Sequence, residues 1–158
     1  MIIENLRENW KMKKIGETES LNAKVPGSVY NDLLLNKKME DPFWRDNEDT
    51  ALAIMENDFE YVTSFTPSPE LLGCSRVLLR CEGLDTLADL YLNGKILGKA
   101  DNMHRTWEYE VKGRLTGGKN TLRVVFHSPT RFIREAYQKE RADGSSDAMD
   151  GFPLLRKA

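Results

Sequence analysis

Histidine and cysteine are both scarce, with two of each in 158 residues. His104 and His127 form no local cluster with Cys74 and Cys81 at metal-ligand spacing, so no metal site is expected. On one extended strand the two cysteines would stand about 23 Å apart, against a bridging limit of roughly 7 Å. Two reduced, structural thiols are the expectation, which suits a reducing, cytoplasmic compartment. Long apolar runs are missing as well: no stretch approaches the roughly 20 residues that span a bilayer, so no membrane partner is expected. The opening Met1-Ile2-Ile3-Glu4-Asn5-Leu6-Arg7-Glu8 puts charge where a signal peptide needs an apolar run. Charge of one sign is lacking too. With 23 basic and 25 acidic residues the formal charge is −2, which offers a polyanion no long-range attraction. Nucleic acid is not an expected partner. Glycine-rich phosphate loops and the spacing of a serine nucleophile elbow are absent, and no cofactor is expected.

What the chain does contain is alternation. Leu90 and Leu92 share a side-chain parity while Tyr91 points the other way, the period-two signature of a strand. Asn93-Gly94 tolerates positive φ and closes that strand in a tight hairpin, with Ile96 and Leu97 beginning the return. Val77, Leu79 and Cys81 alternate before it, and Gly83 marks a turn. Trp107, Tyr109 and Val111 repeat the pattern, as do Leu122, Val124 and Phe126. Between Ser75 and Ser128 this makes at least four strands, and Phe59, Tyr61 and Phe65 add another. Strands with one apolar face need that face covered, so the spacing predicts an all-β sandwich. At 158 residues the chain buries roughly 70% of its extended surface, enough for one domain.

Helices are expected only at the periphery. Ser28 can cap a short helix over 29–36, and Ser128-Pro129 can open another carrying Phe132, Ile133, Ala136 and Tyr137, fading by 141–144. Trp10 and Met12 suggest a short strand. Asp41-Pro42-Phe43-Trp44-Arg45-Asp46-Asn47-Glu48 reads as a loop folded back on the body. Ala51–Met55 reads as a helical turn or an irregular edge. Segment 145–150 is expected to be mobile, and Leu154 and Leu155 look like part of an interrupted strand or docking segment.

Chemistry is thinner. Asp85 with Asp89, or Glu108 with Glu110, are same-parity carboxylates of the sort found on a solvated strand face, so no catalytic residue is assigned. The segment Asp101-Asn102-Met103-His104-Arg105-Thr106-Trp107 is the most function-like. It sets a carboxylate, an amide, an imidazole and a guanidinium beside a tryptophan, the mixture that sugar sites use. Asp101, Asn102 and Arg105 are therefore candidate sugar-contacting residues. Trp107 also continues the Tyr109/Val111 alternation as a core residue would, and Asn102 could equally order its own loop.

Several segments resemble the N-terminal domain of β-mannosidases in glycoside hydrolase family 2. They are Val25-Pro26-Gly27-Ser28-Val29-Tyr30 with Asp32-Leu33-Leu34, the 41–48 stretch, Glu82-Gly83-Leu84-Asp85-Thr86, Tyr91-Leu92-Asn93-Gly94, Ala100-Asp101-Asn102-Met103-His104-Arg105, and Arg156-Lys157-Ala158. The resemblance covers nearly the whole chain in the family's order. It implies a jelly-roll β-sandwich of the galactose-binding-domain type over 1–158, incomplete at its C-terminal end, followed by immunoglobulin-like and TIM-barrel domains. The parent enzyme would remove terminal β-D-mannose from non-reducing ends with retention, using two glutamates that belong to the barrel. Neither maps onto this chain. Where the family carries tryptophans near Ala53 and Phe59, this sequence does not. The family also continues past Arg156-Lys157-Ala158 into a Trp-Asp-Trp-Gly segment whose aspartate reaches the mannose pocket.

Three functional readings follow. The chain is a non-catalytic domain of a β-mannosidase-like hydrolase that lines part of the pocket, a structural domain that braces the barrel, or a free-standing carbohydrate-binding module. Its partners would be a β-mannoside or oligosaccharide and the downstream domains. Dimerisation through an uncovered sheet edge is a further expectation.

Overall fold

The computed structural model describes residues 1–140. The expectations for 145–150 and for Leu154 and Leu155 lie outside the described residues.

Among the described residues, eight strands form two sheets: β1 (Lys11–Lys14), β2 (Leu21–Asn22), β3 (Phe59–Phe65), β4 (Leu78–Cys81), β5 (Ala88–Leu92), β6 (Lys95–Ala100), β7 (Trp107–Glu110) and β8 (Asn120–Phe126). One sheet has six strands in the order β2-β1-β3-β8-β5-β6, all antiparallel, and the other is the pair β4-β7. The non-sequential neighbours β3-β8-β5 place strands from distant parts of the chain at the centre of the larger sheet. This is an all-β sandwich with short helices around it.

The alternation read from the sequence defines the inward face. Ala88, Leu90 and Leu92 of β5 are buried, as are Leu122 and Val124 of β8, Phe59 and Tyr61 of β3, and Met12 of β1. The second sheet covers them with half-buried Leu79, Cys81, Trp107 and Tyr109. Val77, Leu92 and Val111 continue the core towards one end. The β5–β6 hairpin turns at Asn93 and Gly94 with φ of 52° and 77°, the left-handed pair that matches strand twist.

Four α-helices of the described residues lie outside the sandwich: α1 (Val29–Leu35), α2 (Asn47–Ile54), α3 (Pro69–Gly73) and α4 (Pro129–Lys139). Ser28 caps α1 by accepting from the Asn31 N–H, and Ser128 caps α4 by accepting from the Arg131 N–H, with Pro129 in the first turn. The same Ser-Pro device builds α3, where Ser68 accepts from the Leu71 N–H. Thr66-Pro67-Ser68-Pro69 thus both ends β3 and starts α3.

Of the two readings of 51–55 the helical one holds and is extended: 51–54 belong to α2, which begins at Asn47, where an acidic first turn (Glu48, Asp49) suits the helix dipole, and Met55 is its C-cap. Another expectation changes. The 41–48 loop is not folded back: Phe43 is 95% exposed and Trp44 64%. The amphipathic stripe of α4 is also only partly covered, with Ile133 and Tyr137 half-buried but Phe132 and Ala136 exposed. Polar contacts hold this helix to the body, as described next.

Candidate functional site

A cleft of about 400 Å³ opens between α4 and the edge made by β5, β6 and β7. Its apolar wall comes from Leu87, Ala88, Ala100, Trp107 and Phe132, and its polar groups from Asp89, Lys99, Asp101, His127, Arg131 and Glu135. Ala88 turns inward, and Asp89 turns to the other face beside Lys99 of β6, its cross-strand partner.

The polar groups form a continuous chain. Lys99 Nζ lies 3.4 Å from Asp89 Oδ1. Asp89 Oδ2 is 3.1 Å from His127 Nε2, and His127 Nδ1 is 3.3 Å from Asp58 Oδ2. Asp58 Oδ1 accepts from the Ser128 N–H at 2.8 Å and from the Arg131 guanidinium at 2.5 Å. A His127 ring protonated on both nitrogens donates to both carboxylates, whereas a neutral ring donates to one. Arg134 adds a two-pronged ion pair to Glu56. Desolvation by burial raises the Asp58 pKa, but the Ser128 N–H, His127 and Arg131 outweigh it and leave that carboxyl below its usual range. These pairs clamp α4 against the ends of β3, β5 and β8.

The candidate sugar-contacting residues separate. Asp101 lines the cleft and is in no ion pair among the described residues. Asn102 is committed to its own loop: its Oδ1 accepts from the His104 N–H at 2.9 Å, and its carbonyl accepts from Trp107 Nε1 at 3.2 Å. Arg105 stacks its guanidinium 4.5 Å from the Trp107 ring centroid. Trp107 is both things at once, half-buried against the core and a wall of the cleft. Asp101 and Trp107 meet in the cleft, while Asn102 and Arg105 order the turn that carries them.

The paired carboxylates do not act as pairs. Asp89 is bound into the His127 chain, and Asp85 accepts from the Thr86 hydroxyl. Glu110 accepts from the Val77 N–H, the Lys112 N–H and the Arg76 guanidinium. These hydrogen bonds and the Arg76 charge overcome desolvation and lower its pKa. Glu108 and Glu110 lie on an exposed face as expected, whereas Asp89 is largely covered and held by His127 and Lys99, a correction for that residue alone. The link from His127 to Asp58 joins residues far apart in the chain, and no local pattern signalled it. No group of three or more His, Cys, Asp or Glu that could hold a metal occurs among the described residues.

Residues 10–158 match the family described as glycosyl hydrolase 2 galactose-binding domain-like. The chain belongs to this family. Within it, the chain is 30% identical over 138 residues to the β-mannosidase of Bos taurus, a match covering 87% of this chain and 16% of that protein. It superposes on the β-D-mannosidase of Dictyoglomus thermophilum with a TM-score of 0.89 at 34% identity, covering 96% of this chain and 19% of the other. The exo-chitosanase of Amycolatopsis orientalis shares the fold, with a TM-score of 0.65 at 17% identity over 75% of this chain and 16% of its own. This galactose-binding-like chain is thus homologous to the N-terminal domain of β-mannosidases and spans less than a fifth of the length of those relatives.

Proposed function

We propose that this chain is the non-catalytic N-terminal domain of a retaining hydrolase that removes terminal β-D-mannose, bracing the catalytic barrel and lining part of its pocket. The observation that carries this reading is the match to a β-D-mannosidase along 96% of the chain. The parent reaction needs two carboxylates, one attacking the anomeric carbon and one protonating the leaving oxygen. The carboxylates at Asp58, Asp89 and Glu110 are instead spent on holding elements together, which suits a bracing role. In this reading Asp101 accepts hydrogen bonds from sugar hydroxyls, Trp107 offers an apolar surface to the ring, and Asn102 and Arg105 shape that edge. The partners are a β-mannoside or oligosaccharide together with downstream immunoglobulin-like and barrel domains. The compartment is cytoplasmic, in keeping with two unbridged thiols. A second copy of the isolated chain would pair along an outer edge of the six-stranded sheet, at β2 or β6.

The test uses nitrophenyl β-mannoside. The purified chain is expected to release no nitrophenol, and the parent polypeptide to release it. In the parent, Asp101→Ala is expected to raise KM more than it lowers kcat. Turnover by the isolated chain would overturn the non-catalytic assignment, and an inactive parent would overturn the mannosidase assignment.

A further inference from the structure

Between β2 and β3 the chain leaves the sandwich for an excursion that contains α1, α2 and the loop joining them. Its base is tightly held. Asp32 is fully buried, accepting from the Lys24 N–H at 2.9 Å and from the Tyr61 hydroxyl at 2.8 Å. The Tyr30 hydroxyl donates to the Ala51 carbonyl at 2.9 Å, tying α1 to α2.

The tip is held as firmly, yet it is bare. Asp41 Oδ1 accepts from the Phe43 N–H at 2.9 Å, and the Asp41 carbonyl accepts from the Trp44 N–H and from Asn47 Nδ2. Arg45, a non-glycine residue, sits at φ 53° with its guanidinium 5.8 Å from the Trp44 ring centroid. This ordering leaves Phe43 95% exposed and Trp44 64% exposed, side by side. Large aromatics held out in water in one geometry are the arrangement of a preorganised anchor, since their ordering cost is met before any partner arrives. Residues 40–49 carry five carboxylates, Glu40, Asp41, Asp46, Glu48 and Asp49, against one cation, Arg45. None of the five carboxylates is in an ion pair among the described residues.

We infer that the Phe43–Trp44 tip docks this domain onto the remainder of its parent polypeptide, inserting the two rings into an apolar recess rimmed by arginine or lysine. Two observations select that occupant. The relatives are several times longer than this chain, so a large covalently linked surface is available at high effective concentration. The net acidic charge of 40–49 favours a basic complement over an acidic surface. The inference rests on the reading of this chain as one domain of a longer hydrolase.

The experiment compares the 158-residue chain with the parent polypeptide by N-bromosuccinimide oxidation, mapped by mass spectrometry. Buried Trp10 is the internal control. Trp44 is expected to react quickly in the chain and about tenfold or more slowly in the parent. Phe43→Ser with Trp44→Ser is expected to leave the thermal midpoint of the chain unchanged and to lower that of the parent. Asp46→Lys with Glu48→Lys should also lower the parent's midpoint, and by less at high salt. Equal Trp44 reactivity in the two proteins, or equal thermal shifts from the double serine variant, would overturn the docking inference. A parent that protects Trp44 but does not cleave β-mannosides would retain the docking inference and refute only the assigned activity.

Discussion

The Cε1 edge of the Tyr109 ring abuts the backbone of Gly98, and a Cβ added at Gly98 would overlap Cε1 and crowd Cδ1 and Cζ. The Tyr109 hydroxyl donates to the Lys99 carbonyl at 3.0 Å, so the ring cannot swing aside without losing that bond. This contact joins β6 of the larger sheet to β7 of the smaller one. Gly98→Ala is expected to cost about 1–3 kcal/mol, as overpacking does in a close-packed interior. A smaller penalty in the Tyr109→Ala background than in the wild type, read from urea midpoints, would identify the ring as the cause.

Leu90 and Leu92 point into the core at 0% and 2% exposure. Truncation of either to alanine is expected to cost about 2–5 kcal/mol. Turn preference alone would make Asn93 a mild site, but the structure assigns it more. Its Nδ2 donates to the Arg114 carbonyl and to Asn120 Oδ1, and its Oδ1 accepts from the Thr121 N–H at 2.9 Å. Asn120 is itself fully buried. Asn93→Gly keeps the backbone conformation but strands these partners, so a loss of about 1–3 kcal/mol is expected rather than a neutral change. Chemical denaturation of the three variants checks the ranking.

Asp58 supplies the pH dependence of the α4 clamp. Its carboxyl titrates lower in the folded chain than in the unfolded one, so its contribution is complete above the ordinary carboxylate range and disappears as pH falls through its depressed folded value. Stability measured between about pH 5 and pH 2 should therefore decline less steeply in Asp58→Asn than in the wild type. Identical slopes would mean that the clamp does not depend on this charge.

Cys81 packs against the core, and burial pushes its thiol up to about 11. At pH 8 only about one molecule in a thousand carries the thiolate at this position. Iodoacetamide is expected to spare Cys81 until the chain is unfolded. Rapid alkylation under native conditions would show that β4 opens readily.

Much of the sandwich was legible in one dimension. Alternation fixes which face of β5 or β8 is apolar, because strand side chains alternate whatever the partner. Asn93-Gly94 specifies its hairpin through backbone sterics, and Ser28 and Ser128 specify helix starts through their own hydroxyls. Each of these signals acts within a few residues. The exposure of Phe43 and Trp44 was not legible, since aromatic composition looks the same whether a loop packs down or stands out.

The sequence by itself determined most of the strands, their inward faces, the central hairpin, the helix starts at Ser28 and Ser128, and the family. Tertiary structure alone decided that β8 lies between β3 and β5, and hence that His127 meets both Asp58 and Asp89. It also decided that Asp101 faces a cleft while Asn102 turns to its own loop, and that Tyr109 closes over Gly98. The physical reason is range. Steric preference and side-chain parity operate along the chain, whereas ion pairs, clefts and close packing depend on which distant segments the burial of apolar faces brings together.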